Sequence, residues 1–225
     1  MKRTLIALLL IFSANCVLAQ DFGKTYGFRL GLTAHPTVGW LKPQVGKSNG
    51  VSLGFAYGLL ADFNFAENYS FSTGLTITTI NGKSTEINTP YYTAQIPAAG
   101  SAQNPLEIKY KLQYVELPFT LKLRTVKIGE VRWYGQFGLS NDFNIGAKQD
   151  VDVTGGSKYT DLKVADNIKF YRAGLIIGAG GEFNIGGQSS ITAGLTFNNG
   201  FTDITEDKDT SVRNHYIGIN LGIFF

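Results

Sequence analysis

Cysteine is all but missing from this chain of 225 residues: Cys16 is its one thiol, and it lies in an N-terminal stretch that reads as a removable leader. With Cys16 gone, no disulfide, thiol nucleophile or cysteine metal site remains. Histidine occurs twice, at His35 and His215. Long apolar runs are absent too: Leu5 to Phe12 is far short of the ~20 residues that a spanning helix needs. Charge is sparse and balanced. Of 20 basic residues, Lys2 and Arg3 leave with the leader, so 18 stand against 17 acidic ones. A mature net charge of +1 gives no handle for nucleic acid, whatever the apparent pI near 8.8 suggests.

The chain starts with Lys2 and Arg3, then the apolar run, then Val17-Leu18-Ala19. That order of basic, apolar and small residues is what a signal peptidase reads. Residues 1–19 are therefore expected to be a cleaved signal peptide and residues 20–225 one domain, because about 200 residues suit a single barrel. A lipidated Cys16 would need Gly, Ala or Ser before it, and Asn15 stands there.

The mature chain alternates. Its clearest stretch is the last, where Ile217, Ile219, Leu221, Ile223 and Phe225 recur at every second position. A period of two means a strand with one apolar face. A terminal strand ending on an aromatic residue resembles the assembly signal of bacterial outer-membrane barrels. Seven earlier segments alternate likewise: Tyr26–Ala34, Val51–Phe63, about Tyr69–Ile80, about Ile108–Arg124, Val131–Phe143, Tyr171–Phe183 and Ile191–Phe197. Joins two, four and six are short (Asn64–Asn68, Thr125–Glu130, Asn184–Gln188). Joins one, three, five and seven are long (His35–Gly50, Asn81–Glu107, Ala147–Asn167, Asn199–Ser211). The fold expected is all-β: a single eight-stranded antiparallel up-and-down transmembrane β-barrel with tight periplasmic turns and long outer loops. A mean hydropathy of zero suits it, because alternating strands average out. Phe63, Phe65, Tyr69, Phe71, Trp133, Phe183 and Phe225 gather at the inner rim, where rings prefer the membrane–water boundary.

One segment breaks step. Ile108, Tyr110, Leu112 and Tyr114 share one parity, and Val115, Leu117, Phe119, Leu121 and Leu123 the other. A β-bulge at Tyr114–Val115 would produce this slip; so would a strand rising above the bilayer to meet different neighbours. A soluble lipocalin-like barrel would show a more heavily charged second face than the Gly, Ser, Thr and Asn found here.

Tyr114-Val115-Glu116-Leu117-Pro118 with Thr120-Leu121-Lys122 resembles a strand of the porin-family (PorT-like) outer-membrane β-barrel domain. Gly178-Ala179-Gly180-Gly181-Glu182 and Asn199-Gly200-Phe201-Thr202-Asp203-Ile204 resemble two further patches of that family. The resemblance spans nearly all of residues 20–225 and implies an eight-stranded barrel. One relative in that family is an accessory to protein secretion across the outer membrane.

Candidate chemistry is thin. His35 and His215 end strands that must meet on closure, yet parity sends His215 to the lipid and His35 to the lumen or a loop. No nucleophile motif accompanies them. Arg29, Asp62, Glu116, Lys122, Arg124, Arg132, Arg172 and Glu182 face the lumen with both signs, as a selective conduit or as a salt-bridged plug. An eight-stranded interior is just wide enough for side chains to fill, which favours the plug. Asp203, Glu206, Asp207 and Asp209 share a loop but lack the spacing of a calcium loop. Thr89 to Pro105, with Pro90, Tyr91, Tyr92, Ile96 and Pro97, is an apolar loop suited to a partner or a lid. The reading is a non-enzymatic outer-membrane component without cofactor or metal, acting through outer loops in a structural, interaction or secretion-accessory role. Its expected partners are outer-membrane lipid, the barrel-assembly machinery and a protein at the loops. A small-solute pore is the alternative, and an outer-membrane lipid-modifying enzyme the third choice.

Overall fold

The apolar alternation becomes a wall. The computed structural model describes residues 27–87, 105–153, 158–187, 189–206 and 211–225. The described residues form nine strands: β1 (Phe28–Pro43), β2 (Lys47–Ala66), β3 (Tyr69–Ile87), β4 (Pro105–Arg124), β5 (Val131–Val153), β6 (Lys158–Lys163), β7 (Tyr171–Gly186), β8 (Ser189–Gly200) and β9 (Val212–Phe224). Eight of them close a ring of antiparallel neighbours, β1-β2-β3-β4-β5-β7-β8-β9 and back to β1. The short β6 stands outside that ring, paired with the upper end of β5 above the point where β7 leaves it. The three inner turns fall where the short joins were expected. That between β7 and β8 uses Gly186 and Gly187, both at positive φ where a Cβ would be strained.

The outward face of the ring is apolar. Leu30, Leu32, Leu59, Phe63, Phe71, Leu75, Phe137, Leu139, Ile177, Leu195, Ile219 and Leu221 are all exposed. So are Ile217 and Phe225, and Ile223 shares their face, so the five residues of the terminal pattern lie on the lipid side. The expected inner-rim aromatics are exposed at the turn end of the strands.

Three expectations need correction. The first, third and fifth outer joins extend the strands that flank them: β1 and β2 continue to Pro43 and from Lys47, β3 reaches Ile87, and β5 runs ten residues past Phe143. Apolar alternation marks the lipid face only as far as the rim, and above it the apolar residues change sides. There the inward residues Leu41, Ile80, Leu106, Ile108, Tyr110, Leu112, Val151 and Val212 form a buried core. The slip at Tyr114–Val115 is the same change. Every even residue of β4 from Leu106 to Lys122 points inward, and its pairing with β3 runs without a shift from Glu116 to Pro105. The bulge lies on the neighbour instead: Gln113 pairs Gly146 and Tyr114 pairs Asn144, leaving Ile145 over. Beyond that extra residue β5 turns its odd positions inward, Ala147, Gln149, Val151 and Val153. The proposed apolar loop from Thr89 lies outside the described residues, apart from Pro105 at the start of β4.

Because the upper core packs on itself, trimming it should be felt. Ile80→Val is expected to cost about 0.5–1.5 kcal/mol, read as a lower urea midpoint for the refolded barrel. No change in the midpoint would mean that the upper core adds nothing to the unfolding transition.

Candidate functional site

Inside the membrane-spanning half the inward residues are polar, and they meet in two layers. In the lower layer three cations converge on one carboxylate. Asp62 on β2 accepts from Arg29 at 3.1 Å, Lys122 at 2.9 Å and Arg124 at 2.5 Å, and from the Ser72 hydroxyl. Glu182 on β7 accepts from Arg29 at 2.6 Å and from Arg124 Nε at 3.1 Å. The ring of Phe224 borders this layer on the side away from the inner mouth, 5.0 Å from the Arg29 guanidinium and 4.8 Å from Lys122 Nζ. Charged hydrogen bonds at these distances are the strong kind, and a buried carboxylate needs them.

The upper layer centres on Arg172 of β7, which has no exposed surface. It pairs with Asp142 and donates to Asn198 Oδ1 at 2.9 Å, to the Asn214 side-chain oxygen and to the Asn214 carbonyl at 3.0 Å. Asn198 donates in turn to Ser140 at 2.9 Å. Beside it the Tyr216 hydroxyl reaches both oxygens of Glu116, at 2.9 and 2.8 Å. Between the layers lies a cavity of about 90 Å³ lined by Thr33, His35, Thr76, Gln136 and Thr196 together with the apolar Pro118, Ile176 and Phe224, large enough to hold water.

Seven of the eight predicted lumen charges are in these layers. Arg132 is not. It lies at the turn end of β5 opposite Glu182, whose oxygens are already taken by Arg29 and Arg124. Arg132 instead lines an inner mouth of about 500 Å³ and makes no ion pair among the described residues. Sequence reading missed Asp142, although it shares a parity with Arg132 and Gln136, and it missed Tyr216, Asn198 and Asn214. The glycine patch has a plain function here: a Cβ on Gly180 or Gly194 would come within 2.7 Å of Tyr134 Oη, so these two glycines make room for that phenol to lie across β7 and β8. Gly200 does the same for the Arg172 guanidinium.

The histidines do not meet. His35 points into the lumen over Gly218, with Thr33 Oγ1 at 3.2 Å from Nδ1. His215 faces outward on β9 but is buried, with the Trp40 ring stacked on it at 5.7 Å. Asp203 is spent on its own loop: its carboxylate accepts from Lys169 at 2.7 Å, from the Thr205 hydroxyl at 3.1 Å and from the Val212 amide at 2.8 Å. Glu206 is exposed, and Asp207 and Asp209 lie outside the described residues.

Residues 19–222 match the outer membrane protein β-barrel domain. The chain belongs to that family. Membership puts this barrel in the outer membrane, with its apolar belt against lipid. Among solved structures it is similar to Neisserial surface protein A, at 13% identity and a TM-score of 0.48 over 88% of this chain and 95% of that one. It is also similar to the attachment invasion locus protein Ail of Yersinia pestis (15%, 0.32, 88% and 98%) and to OprG of Pseudomonas aeruginosa (11%, 0.42, 90% and 98%). No curated protein matches the chain.

Proposed function

We propose that this outer-membrane barrel is a non-enzymatic component with a closed lumen, working through the part that rises above the bilayer as a structural, interaction or secretion-accessory protein. One observation carries the reading: above the two charged layers, Leu41, Ile80, Leu106 and Leu112 have no exposed surface and fill the bore with a dry core. A hydrated path would have to cross that core as well as both layers. What stands free to act is the upper wall, the short β6 and the outer joins. The PorT-like motifs fit the same reading, since Glu116, Glu182 and Gly200 serve the lumen packing and none of them faces a substrate cleft. In this reading residues 1–19 are the cleaved export signal, the terminal strand is the handle for the barrel-assembly machinery, and a protein partner meets the outer joins.

The test is single-channel recording of the refolded mature barrel in a planar bilayer, with heat-modifiable gel mobility as the folding control. Wild type and Glu116→Ala are both expected to be silent. The variant should nevertheless lose about 1–3 kcal/mol of stability, because the Tyr216 hydroxyl is left buried without its acceptor. Steady conductance from folded wild-type protein would replace this proposal with the small-solute pore.

A further inference from the structure

The outer rim of the lipid-facing wall carries an aromatic girdle, and its charges are not equally satisfied around the ring. On one side Phe143, Phe170 and Tyr171 cluster with centroids 5.6 and 5.7 Å apart, and the adjacent Lys169 is neutralised by Asp203. On the β1–β9 side Trp40 stacks on Phe197 at 6.0 Å and on His215 at 5.7 Å. One step further up the same outward face, Lys42 and Arg213 are register partners, both exposed, and neither makes an ion pair among the described residues. Like charges directly opposite across a ladder are destabilising unless something negative lies between them.

Depth says what that is. From Phe225 to His215 the strand climbs ten residues at about 3.4 Å each, and a tilt of about 40° turns this into a height of about 26 Å. An outward apolar band about 25 Å tall is what such barrels present to the hydrocarbon. His215 and Trp40 therefore mark its upper edge, and Lys42 and Arg213 stand about 5 Å higher, in the headgroup layer. Lys83 and Lys109 are also register partners, but they lie further up the wall, in a depression shared with Glu107, Asp150 and Asp152.

We infer that the β1–β9 seam is a lipid site: Lys42 and Arg213 clamp the phosphate of an outer-leaflet headgroup while Trp40, backed by the buried His215, packs against the lipid just below it. Surface phosphate alone would not select this seam, because the aromatic stack is of use only to a ligand anchored in the bilayer. The inference rests on membership of the outer-membrane family and not on the closed lumen.

The experiment places the refolded mature barrel in nanodiscs of phosphatidylcholine doped with bis-phosphorylated lipid A and counts retained lipid A by native mass spectrometry. The Lys42→Gln/Arg213→Gln variant is expected to retain roughly thirtyfold less. Lys83→Gln/Lys109→Gln, which removes the same charge higher on the wall, should retain as much as wild type, and inorganic phosphate should not compete. Heat-modifiable mobility confirms that each variant is folded. Equal retention by all three proteins, equal loss in both variants, or displacement of the lipid by inorganic phosphate would each overturn the site.

Discussion

Arg172→Met is expected to destabilise the folded barrel by about 3–5 kcal/mol, the largest effect of any single substitution in the wall. The guanidinium has no exposed surface, and its loss strands Asp142, whose carboxylate is equally buried. It also takes the donors from Asn198 Oδ1 and from the side chain and carbonyl of Asn214, so three further acceptors lose their partner. A charge left alone in that setting costs much more than the pair contributes when intact. The control is the double variant Arg172→Met/Asp142→Leu, which removes both charges and should regain much of the loss. Urea unfolding in detergent micelles separates the cases. A double variant no more stable than Arg172→Met would mean that the layer's neutral hydrogen bonds, not the isolated carboxylate, dominate.

Asp62→Ala should come next, at about 3–5 kcal/mol, for the reverse reason. Arg29, Lys122 and Arg124 all point at this one carboxylate, and only Glu182 would remain to hold two of them. Lys122 would be left with no carboxylate, held over the rings of Tyr134 and Phe224. Replacing Lys122 by Met in the same chain should restore part of the stability, because it removes a cation that has lost its partner. The bilayer recording should stay silent in Asp62→Ala, since the dry core above is untouched. A conducting Asp62→Ala barrel would show that the lower layer, and not the core, is the seal.

The ring, its strand order and its lipid face were legible because the period-two signal survives wherever one face meets hydrocarbon. The lumen charges were legible as a set for the same reason: they occupy the complementary parity of strands already recognised. Partnership was not. Nothing in the sequence says that Glu182 is taken by Arg29 and Arg124, leaving its register neighbour Arg132 without an ion pair among the described residues. Asp142 lies inside the segment Val131–Phe143 on the inward parity of Arg132 and Gln136, so it was legible by the same rule and belongs with the set. The upper half was misread for a deeper reason. Polarity inverts at about Tyr114, so a rule that equates apolar with outward ends each strand at the rim, and the continuing alternation of Ile108, Tyr110 and Leu112 looks like a slip. The bulge that does exist, at Ile145, leaves only a change of parity in a stretch the rule had already given to a loop.

That inversion also constrains how the molecule reaches its final position. The outward face of the upper wall carries Lys109, Lys111, Asp150 and Asp152, groups that do not dissolve in hydrocarbon, yet they must end on the far side of a membrane approached from within. Moving them through hydrocarbon unaided is costly, because each charge would have to leave water. On the proposed export route these charges are the part for which the barrel-assembly machinery would be needed, and once the belt has seated they hold the barrel against slipping back.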